Sequence, residues 1–127
     1  MFTICYEESW VRANKIYQNI FGEDKKMPSG IYSLLVCQDT PVGIAVAKLT
    51  KDMQVEIKTV GIYQQIRGQG LGDFFMRSLF NVYTQSGNGI YVNWVHSYFD
   101  KFGFKPTEDG RLYVSAEDLV FPHKCKH

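Results

Sequence analysis

The sequence has few cysteines, no long hydrophobic run and no leader-like N-terminus. Its three cysteines, Cys5, Cys37 and Cys125, are scattered and odd in number, a pattern typical of neither a disulfide framework nor a four-ligand zinc site. No apolar run approaches the roughly 18–20 residues that span a bilayer, and no basic segment precedes a hydrophobic one as in a signal peptide. We therefore expect a protein of the reducing cytoplasm that is neither exported nor inserted into a membrane.

An excess of charge of one sign is also lacking, because 14 basic residues face 13 acidic ones and the formal net charge is +1. Proteins that bind nucleic acid or anionic membranes through charge carry clustered positive residues, so neither is predicted as the main partner. His123, Cys125 and His127 are metal-ligand types, but donors on a chain end lack the fixed geometry of a metal site. No metal site is predicted.

The 127 residues, 45% of them apolar, are enough for one domain with a buried core. No linker, repeat or low-complexity segment divides residues 1–127. Apolar runs and alternating patterns predict seven strands, at residues 2–6, 31–37, 42–49, 53–62, 90–94, 104–107 and 111–115. The sequence thus predicts a single domain that is rich in β-structure.

Three helices are predicted between these strands. The first begins after Ser9, a good N-cap, and ends at Gly22, while the second covers residues 71–85 with one broad apolar face. A short third helix carries Val95, Phe99 and Phe102 and ends at Gly103. Short loops predict an antiparallel meander over residues 31–62, and the second helix predicts a right-handed crossover to a parallel strand at 90–94. The fold class is α+β.

A glycine-rich segment at residues 64–72 separates the strand at 53–62 from the second helix. Unpaired N–H groups and the positive end of the dipole make a helix start an anion site. Gly68, Gly70 and Gly72 let the backbone approach a ligand closely, and Arg67 adds a positive charge. The order of the glycines matches neither a dinucleotide-binding motif nor a P-loop. The segment predicts a phosphate site, with a purely conformational surface turn as the alternative.

Two landmarks together resemble one family. Gln64, Arg67, Gly70 and Gly72 form the pattern Gln-x-x-Arg-x-x-Gly-x-Gly between a strand and a helix. This resembles the pyrophosphate-binding signature of the GNAT superfamily, the acyl-CoA-dependent N-acyltransferases. Residues 98–105, Tyr-Phe-Asp-Lys-Phe-Gly-Phe-Lys, resemble the second landmark of the same family. The resemblance covers the C-terminal half of the chain.

The resemblance implies a GNAT-like fold and a binding site for coenzyme A. The fold is a mixed, mostly antiparallel twisted sheet flanked by helices, with a central parallel strand pair splayed to admit the cofactor, and Gly61 suits a bulge that would open this pair. The cosubstrate is acetyl-CoA, without a metal. Asn93 would bind the cofactor arm or cap the next helix. The remaining implied binding residues are the backbone N–H of Ile62 for the thioester carbonyl, and Arg67, Gly68, Gln69, Gly70, Leu71 and Gly72 for the pyrophosphate.

Acyl transfer to an amine also needs a base, because an amine is mostly protonated at neutral pH. Glu56 is one candidate, at the position where some GNAT histone acetyltransferases carry a glutamate. The alternative is a solvated strand face shared with Gln54 and Lys58. His96 is a second candidate, because an imidazole is the side chain best suited to proton transfer at neutral pH, and the alternative is an exposed histidine at a helix start.

The departing thiolate needs a proton, which a tyrosine directly before the acidic residue supplies in many GNAT members. Phe99 stands at that position here. Tyr98, its neighbour, is the candidate acid, although one helical step rotates a side chain by about 100°. The alternative is a tyrosine that packs at the edge of the core.

The resemblance implies direct transfer of an acetyl group from acetyl-CoA to a primary amine of a small molecule or peptide. Phe99 and the short loop at residues 23–30 leave a second function open, a coenzyme A-binding module with little catalysis that serves in sensing or assembly. A small α+β protein that binds no coenzyme A is a third reading. GNAT domains often form dimers through sheet edges or C-terminal strands, so a homodimer is compatible with the sequence.

Overall fold

A computed structural model describes residues 1–64, 68 and 70–122 of the chain. Its strands are β1 (Phe2–Glu7), β2 (Ile31–Cys37), β3 (Thr40–Leu49), β4 (Val55–Ile62), β5 (Ile90–Val92), β6 (Lys105–Pro106) and β7 (Leu112–Val114). Its helices are α1 (Trp10–Phe21), α2 (Leu71–Thr84) and a 3₁₀ helix (Ser97–Phe102). Every predicted strand and helix has a counterpart, although the last three strands are shorter than predicted.

The strands form one seven-stranded sheet in the order β1-β2-β3-β4-β5-β7-β6. β4 and β5 are parallel, and each other neighbouring pair is antiparallel. The antiparallel meander and the parallel pairing of the strands on either side of α2 are therefore confirmed. The C-terminal hairpin does not add its strands in chain order, because β7 pairs with β5 and β6 forms the edge of the sheet beyond β7.

Successive residues of a strand point to opposite faces of a sheet, and here each face builds its own hydrophobic cluster. Ile44 and Val46 of β3 lie in a cluster with Ala13 and Tyr17 of α1. Ala45 and Ala47, their neighbours along the strand, lie in a larger cluster with residues of α2. The sheet is thus covered by α1 on one face and by α2 on the other.

β4 and β5 pair over only three residues, from Val55 opposite Ile90 to Ile57 opposite Val92. β4 continues to Ile62, and its far end still pairs with β3. The predicted splay of the central parallel pair is present, and it begins directly after Ile57. The two strands are therefore separated beyond Ile57 of β4 and Val92 of β5.

The irregularity in β4 lies at Lys58 and not at Gly61. Ala47 pairs with Ile57 and Val46 with Thr59, so that Lys58 is skipped in the register. Gly61 has a different purpose, because a Cβ atom there would lie 2.5 Å from the ring of Phe21. The prediction of a bulge at Gly61 is wrong, since the glycine instead lets α1 approach the strand closely.

The predicted short helix is a 3₁₀ helix that ends at Gly103, whose φ of +99° suits glycine. Phe99 and Phe102 are buried as predicted, but Val95 lies before the helix and is 67% exposed. The assignment of Val95 to this face is wrong, because the helix begins two residues later. Neither this helix nor any other among the described residues has the length and apolar character needed to cross a membrane.

Candidate active site

A groove of about 310 Å³ opens where β4 and β5 separate. Three segments line it: the end of β4, the first turns of α2 and the segment that follows β5. Most of the lining side chains are apolar or aromatic, among them Ile62, Phe75, Met76, Trp94 and Phe99. Such walls suit a long, largely apolar ligand arm, with a few polar side chains to orient it.

The glycine-rich turn ends beside this groove. Gly68 and Gly70 have φ angles of +85° and +75°, which glycine adopts without strain. Gly70 is the N-cap of α2 and makes no side-chain capping bond. Gly72 lines the groove, and a Cβ atom built there would have no neighbour closer than 4.0 Å. The start of α2 therefore presents backbone to the mouth of the groove.

Two residues of the predicted phosphate site, Arg67 and Gln69, lie outside the described residues. Gln64, Gly68, Gly70, Leu71 and Gly72 are described. Leu71 is buried and belongs to the core cluster on the α2 face, so its side chain anchors the first turn of the helix. Whatever Leu71 offers to a ligand must come from its backbone.

The groove contains a tyrosine and a carboxylate that contact each other. The phenol of Tyr98 donates a hydrogen bond to Oδ1 of Asp73 at 2.6 Å. Oδ2 of the same carboxylate accepts a bond from Nε of Arg77 at 2.8 Å, and Nη1 of Arg77 donates to the carbonyl of Pro122 at 2.8 Å. Tyr98 and Asp73 both line the groove, so this network forms part of its wall.

The network has opposite effects on its two acids. Burial raises the pKa of Tyr98, and the hydrogen bond and negative charge of Asp73 raise it further. Burial also acts to raise the pKa of Asp73, but the bonds from Tyr98 and Arg77 outweigh it and leave that pKa below its ordinary value. The phenol is therefore held neutral and the carboxylate ionised.

This state weakens Tyr98 as a proton donor to a thiolate. Ordinary phenol and thiol pKa values of about 10 and 8.5 already make the transfer uphill by about 2 kcal/mol. Because the pKa of Tyr98 is raised, the transfer is more unfavourable than for an ordinary tyrosine. Its phenol proton also points to Asp73 in this arrangement.

His96 is the N-cap of the 3₁₀ helix and lines the groove. Its Nδ1 accepts a hydrogen bond from the backbone N–H of Tyr98 at 3.0 Å. In a neutral imidazole the other ring nitrogen then carries the proton. His96 thus fixes the backbone of Tyr98 and offers an N–H donor, and it could accept a proton at Nδ1 only after this bond breaks.

Glu56 does not line the groove, although it lies on the same strand as residues that do. Its carboxylate pairs with Arg111 at 3.0 Å and with Lys48 at 3.9 Å. Lys58, which was expected to share a strand face with Glu56, donates from Nζ to the carbonyl of Ser29. Glu56 also precedes Ile62 by six residues, about 20 Å along an extended strand. A proton relay through water would have to connect the two positions.

Phe99, at the usual tyrosine position, is 2% exposed. Its ring contacts those of Trp94, Phe80 and Phe104 at centroid distances of 5.5, 6.3 and 5.3 Å. A phenol there would bring a hydroxyl into an aromatic core. Asn93, by contrast, is exposed after β5 and does not line the groove.

Asp73 is the polar groove residue that sequence reasoning missed. In the sequence, Asp73 and Arg77 have the spacing of an ordinary surface ion pair on a helix, and an acidic residue in a first turn suits the helix dipole. Its partner Tyr98 is 25 residues away. Only the crossover from α2 to β5 brings the two together. Among the described residues, no cluster of three or more metal-ligand side chains is present.

No protein family model matches the sequence, and no curated protein matches it. Solved structures do match. One is a putative N-acetyltransferase from Lactobacillus plantarum, with a TM-score of 0.70 and 17% identity over 91% of this chain and 98% of that chain. Another is a GNAT family acetyltransferase from Brucella melitensis in complex with acetyl-CoA, with a TM-score of 0.68 and 12% identity over 91% of this chain and 88% of that chain.

A third match is a chain of the KacTA–DNA complex, with a TM-score of 0.63 and 14% identity over 92% of this chain and 94% of that chain. Structures this similar over nine tenths of the chain share one fold, and at these identities it is the fold that is shared. The chain therefore has the fold of the GNAT acetyltransferases. The predicted fold class is confirmed.

Proposed function

We propose that the chain is an N-acetyltransferase that moves an acetyl group from acetyl-CoA to a primary amine by direct transfer. The main support is the groove at the splayed end of β4 and β5, with the glycine turn at its mouth. A fold alone does not specify a function, so the proposal depends on this site. Holding the thioester and the amine together in the groove can lower the activation barrier by several kcal/mol.

The residues present suit coenzyme A. The backbone of Gly68, Gly70, Leu71 and Gly72 at the start of α2 would bind the pyrophosphate, with Arg67 and Gln69 of the same segment. The apolar groove would take the pantetheine arm, and Asn93 remains a proposed contact of that arm although it does not line the groove. We assign polarisation of the thioester carbonyl to the backbone N–H of Ile62. One such donor is worth about two to three decades of rate.

For the proton of the amine we propose Glu56, acting through water, ahead of His96. A carboxylate keeps further lone pairs when it is bound by Arg111 and Lys48, whereas the single lone pair of Nδ1 of His96 is used by the cap. Direct transfer needs no nucleophilic residue. Tyr98 was predicted as the acid, but its proton is engaged by Asp73, so we do not assign it that role.

The proposed acceptor is an amine of a small molecule or peptide. Nucleic acid and membrane are not proposed as partners, because the net charge is +1. A homodimer and a cytoplasmic location remain part of the proposal, the latter on the scattered cysteines.

The direct experiment measures release of coenzyme A thiol from acetyl-CoA with a panel of peptides, polyamines, aminoglycosides and small amines. We expect release that depends on one class of amine. Release no faster than hydrolysis with every amine would contradict catalysis. Calorimetry with acetyl-CoA on the same preparation separates the parts of the proposal, because absence of binding would contradict the cofactor as well.

A matched pair of glycine variants tests the binding site. Gly68 and Gly87 both have a φ of +85° and open space where a Cβ would lie, but Gly87 follows the far end of α2. We expect Gly68→Asp to weaken acetyl-CoA binding at least tenfold, because its carboxylate would repel the phosphates. Gly87→Asp should leave the affinity within twofold. Equal effects of the two variants would contradict a phosphate site at Gly68.

A second candidate function is a coenzyme A-binding module with little catalysis. The observation that favours it is the buried Phe99, which has no hydroxyl. Many members of the GNAT superfamily carry at this position the tyrosine that acts as the general acid. Binding of acetyl-CoA without thiol release across the whole amine panel would support this reading. Measurable turnover with any amine would favour the enzyme.

A further inference from the structure

We propose that Asp73 is a positioning residue that makes Tyr98 a hydrogen-bond acceptor for an N–H group of a ligand in the groove. This inference rests on the proposed function, because it concerns the ligand of that same groove. It assigns Tyr98 a binding contribution in place of proton transfer. The observations that support it are the hydrogen bond between Tyr98 and Asp73 and the contacts that hold each of these two side chains in place.

The direction of the Tyr98–Asp73 bond follows from chemistry. An ionised carboxylate can only accept hydrogen bonds, whereas a phenol has one proton to donate and two lone pairs. At 2.6 Å the phenol proton is committed to Oδ1 of Asp73. Tyr98 can therefore offer a further partner only its lone pairs, and a ligand that meets its oxygen must bring a donor.

Both partners are held in place from several directions. Arg77, one helical turn after Asp73, binds its second oxygen at 2.8 Å and keeps it ionised. Nζ of Lys101 lies 4.6 Å from the ring centroid of Tyr98, and the ring of Phe102 packs at 5.2 Å. The cap from His96 fixes the Tyr98 backbone. Among residues 1–64, 68 and 70–122, the charged groups around the phenol are thus Asp73, Arg77 and Lys101, on α2 and on the 3₁₀ helix.

Two ligands of the proposed reaction carry N–H donors. The pantetheine arm of coenzyme A contains secondary amides, and the acceptor carries an amine. Either group would pair with the phenol oxygen in a groove whose other walls are mostly apolar. The thiolate sulfur and the phosphate oxygens are hydrogen-bond acceptors and would not pair with the phenol oxygen.

The first experiment needs no ligand and tests the Asp73–Tyr98 geometry alone. The chain is labelled with ¹³Cζ-tyrosine, and the Tyr98 resonance is assigned by its loss in Tyr98→Phe. Because burial and Asp73 raise the pKa of Tyr98, we expect the resonance of the wild type to remain that of a neutral phenol up to the highest pH at which the protein stays folded. In Asp73→Asn the hydroxyl loses its bond to a carboxylate, so we expect the Tyr98 resonance to shift already at neutral pH. An unchanged Tyr98 resonance in Asp73→Asn at neutral pH would overturn the proposal.

The second experiment measures binding and turnover together. Calorimetry with coenzyme A and with adenosine 3′,5′-diphosphate, which lacks the pantetheine arm, is combined with kcat and KM for the amine that gives turnover. We expect Tyr98→Phe to weaken coenzyme A binding about 3- to 10-fold, the value of one neutral hydrogen bond, with the diphosphate unaffected. If Tyr98→Phe instead raises KM for the amine, the N–H group that binds Tyr98 belongs to the amine substrate. That result would equally support the proposal.

The opposite result is a hundredfold or greater fall in kcat with binding unchanged, which is typical of a lost general acid and would overturn the proposal. So would unchanged binding, KM and kcat. Tyr83→Phe is the matched control, because Tyr83 shares a hydrogen bond with Ser33 away from the groove. If wild-type protein fails to bind coenzyme A, the proposed function fails, while the Tyr98 resonance still decides the geometry.

Discussion

Both faces of the sheet carry a carboxylate beside an arginine, but the two pairs have different surroundings. On the α2 face, Asp73 is bound by Arg77 from its own helix and receives the phenol of Tyr98 in an apolar groove. On the opposite face, Glu56 is bound by Arg111, which directly precedes β7, and the guanidinium lies 4.0 Å above the ring of Tyr91. The first pair fixes the phenol of Tyr98 in the wall of the groove, whereas the second links β4 to the C-terminal hairpin.

The hydrophobic clusters beneath the two faces differ in the same way. The ring of Phe80 on α2 lies at 5.1 and 5.3 Å from those of Phe102 and Phe104, so one aromatic cluster joins α2 to the C-terminal segments. The α1 face uses mainly aliphatic side chains such as Leu34, Ile44 and Val46. The groove is therefore built on the aromatic side, where displacement of one ring affects several elements.

The largest expected effect tests this aromatic cluster. Phe80 is fully buried, and Phe80→Ala should lower the free energy of unfolding by about 3–5 kcal/mol through lost burial and a cavity. Phe74→Ala, on the same helix at a position 39% exposed, should cost much less. Denaturant unfolding measures both. Similar costs for the two variants would contradict a core centred on Phe80.

The second prediction concerns Glu56 on the other face. We expect Glu56→Gln to lower kcat/KM for the amine by about a hundredfold, the lower range for loss of a general base. Asp109→Asn is the control, because it removes the other carboxylate bound to Arg111 and leaves Glu56 in place. It should change kcat/KM by less than about threefold. Equal, small effects would show that Glu56 only ties the strands.

The smallest expected effect is a pH dependence at Asp73. Its pKa is lower in the folded protein than the ordinary value of 3.8, so its stabilisation is present above that value and is lost as the pH falls through the folded pKa. The stability difference between wild type and Asp73→Asn should therefore shrink below pH 4. Thermal unfolding from pH 3 to 7 measures this. A difference that does not vary with pH would contradict an ionised Asp73 in the network.

Much of the fold follows from local patterns in the sequence. Alternation and helical spacing locate the strands and helices, and short loops dictate the meander, because these features depend on neighbouring residues. The glycine turn was predicted through the order of strand, turn and helix, whereas the splayed pair was implied by the resemblance to the GNAT superfamily. Fold-level prediction succeeded because no long-range detail was needed.

The site was harder to predict, because it depends on contacts between distant segments. Tyr98 was singled out, but not its bond to Asp73, which only the packing of the 3₁₀ helix against α2 creates. Glu56 was expected beside Lys58, but the Arg111 that binds it comes from the C-terminal hairpin. Gly61 was interpreted from strand geometry, whereas its reason lies in α1. In each case the partner was absent from the local sequence.

The close approach at Gly61 links residue choice at two distant positions. A methyl group at position 61 would overlap the end of the Phe21 ring, with Ile20 also only 2.9 Å away. A larger residue at 61 can therefore be accommodated only with a smaller side chain at 21 or a shifted α1. Among proteins descended from the same ancestor, positions 21 and 61 should vary together, so that a bulky aromatic at 21 occurs with glycine at 61.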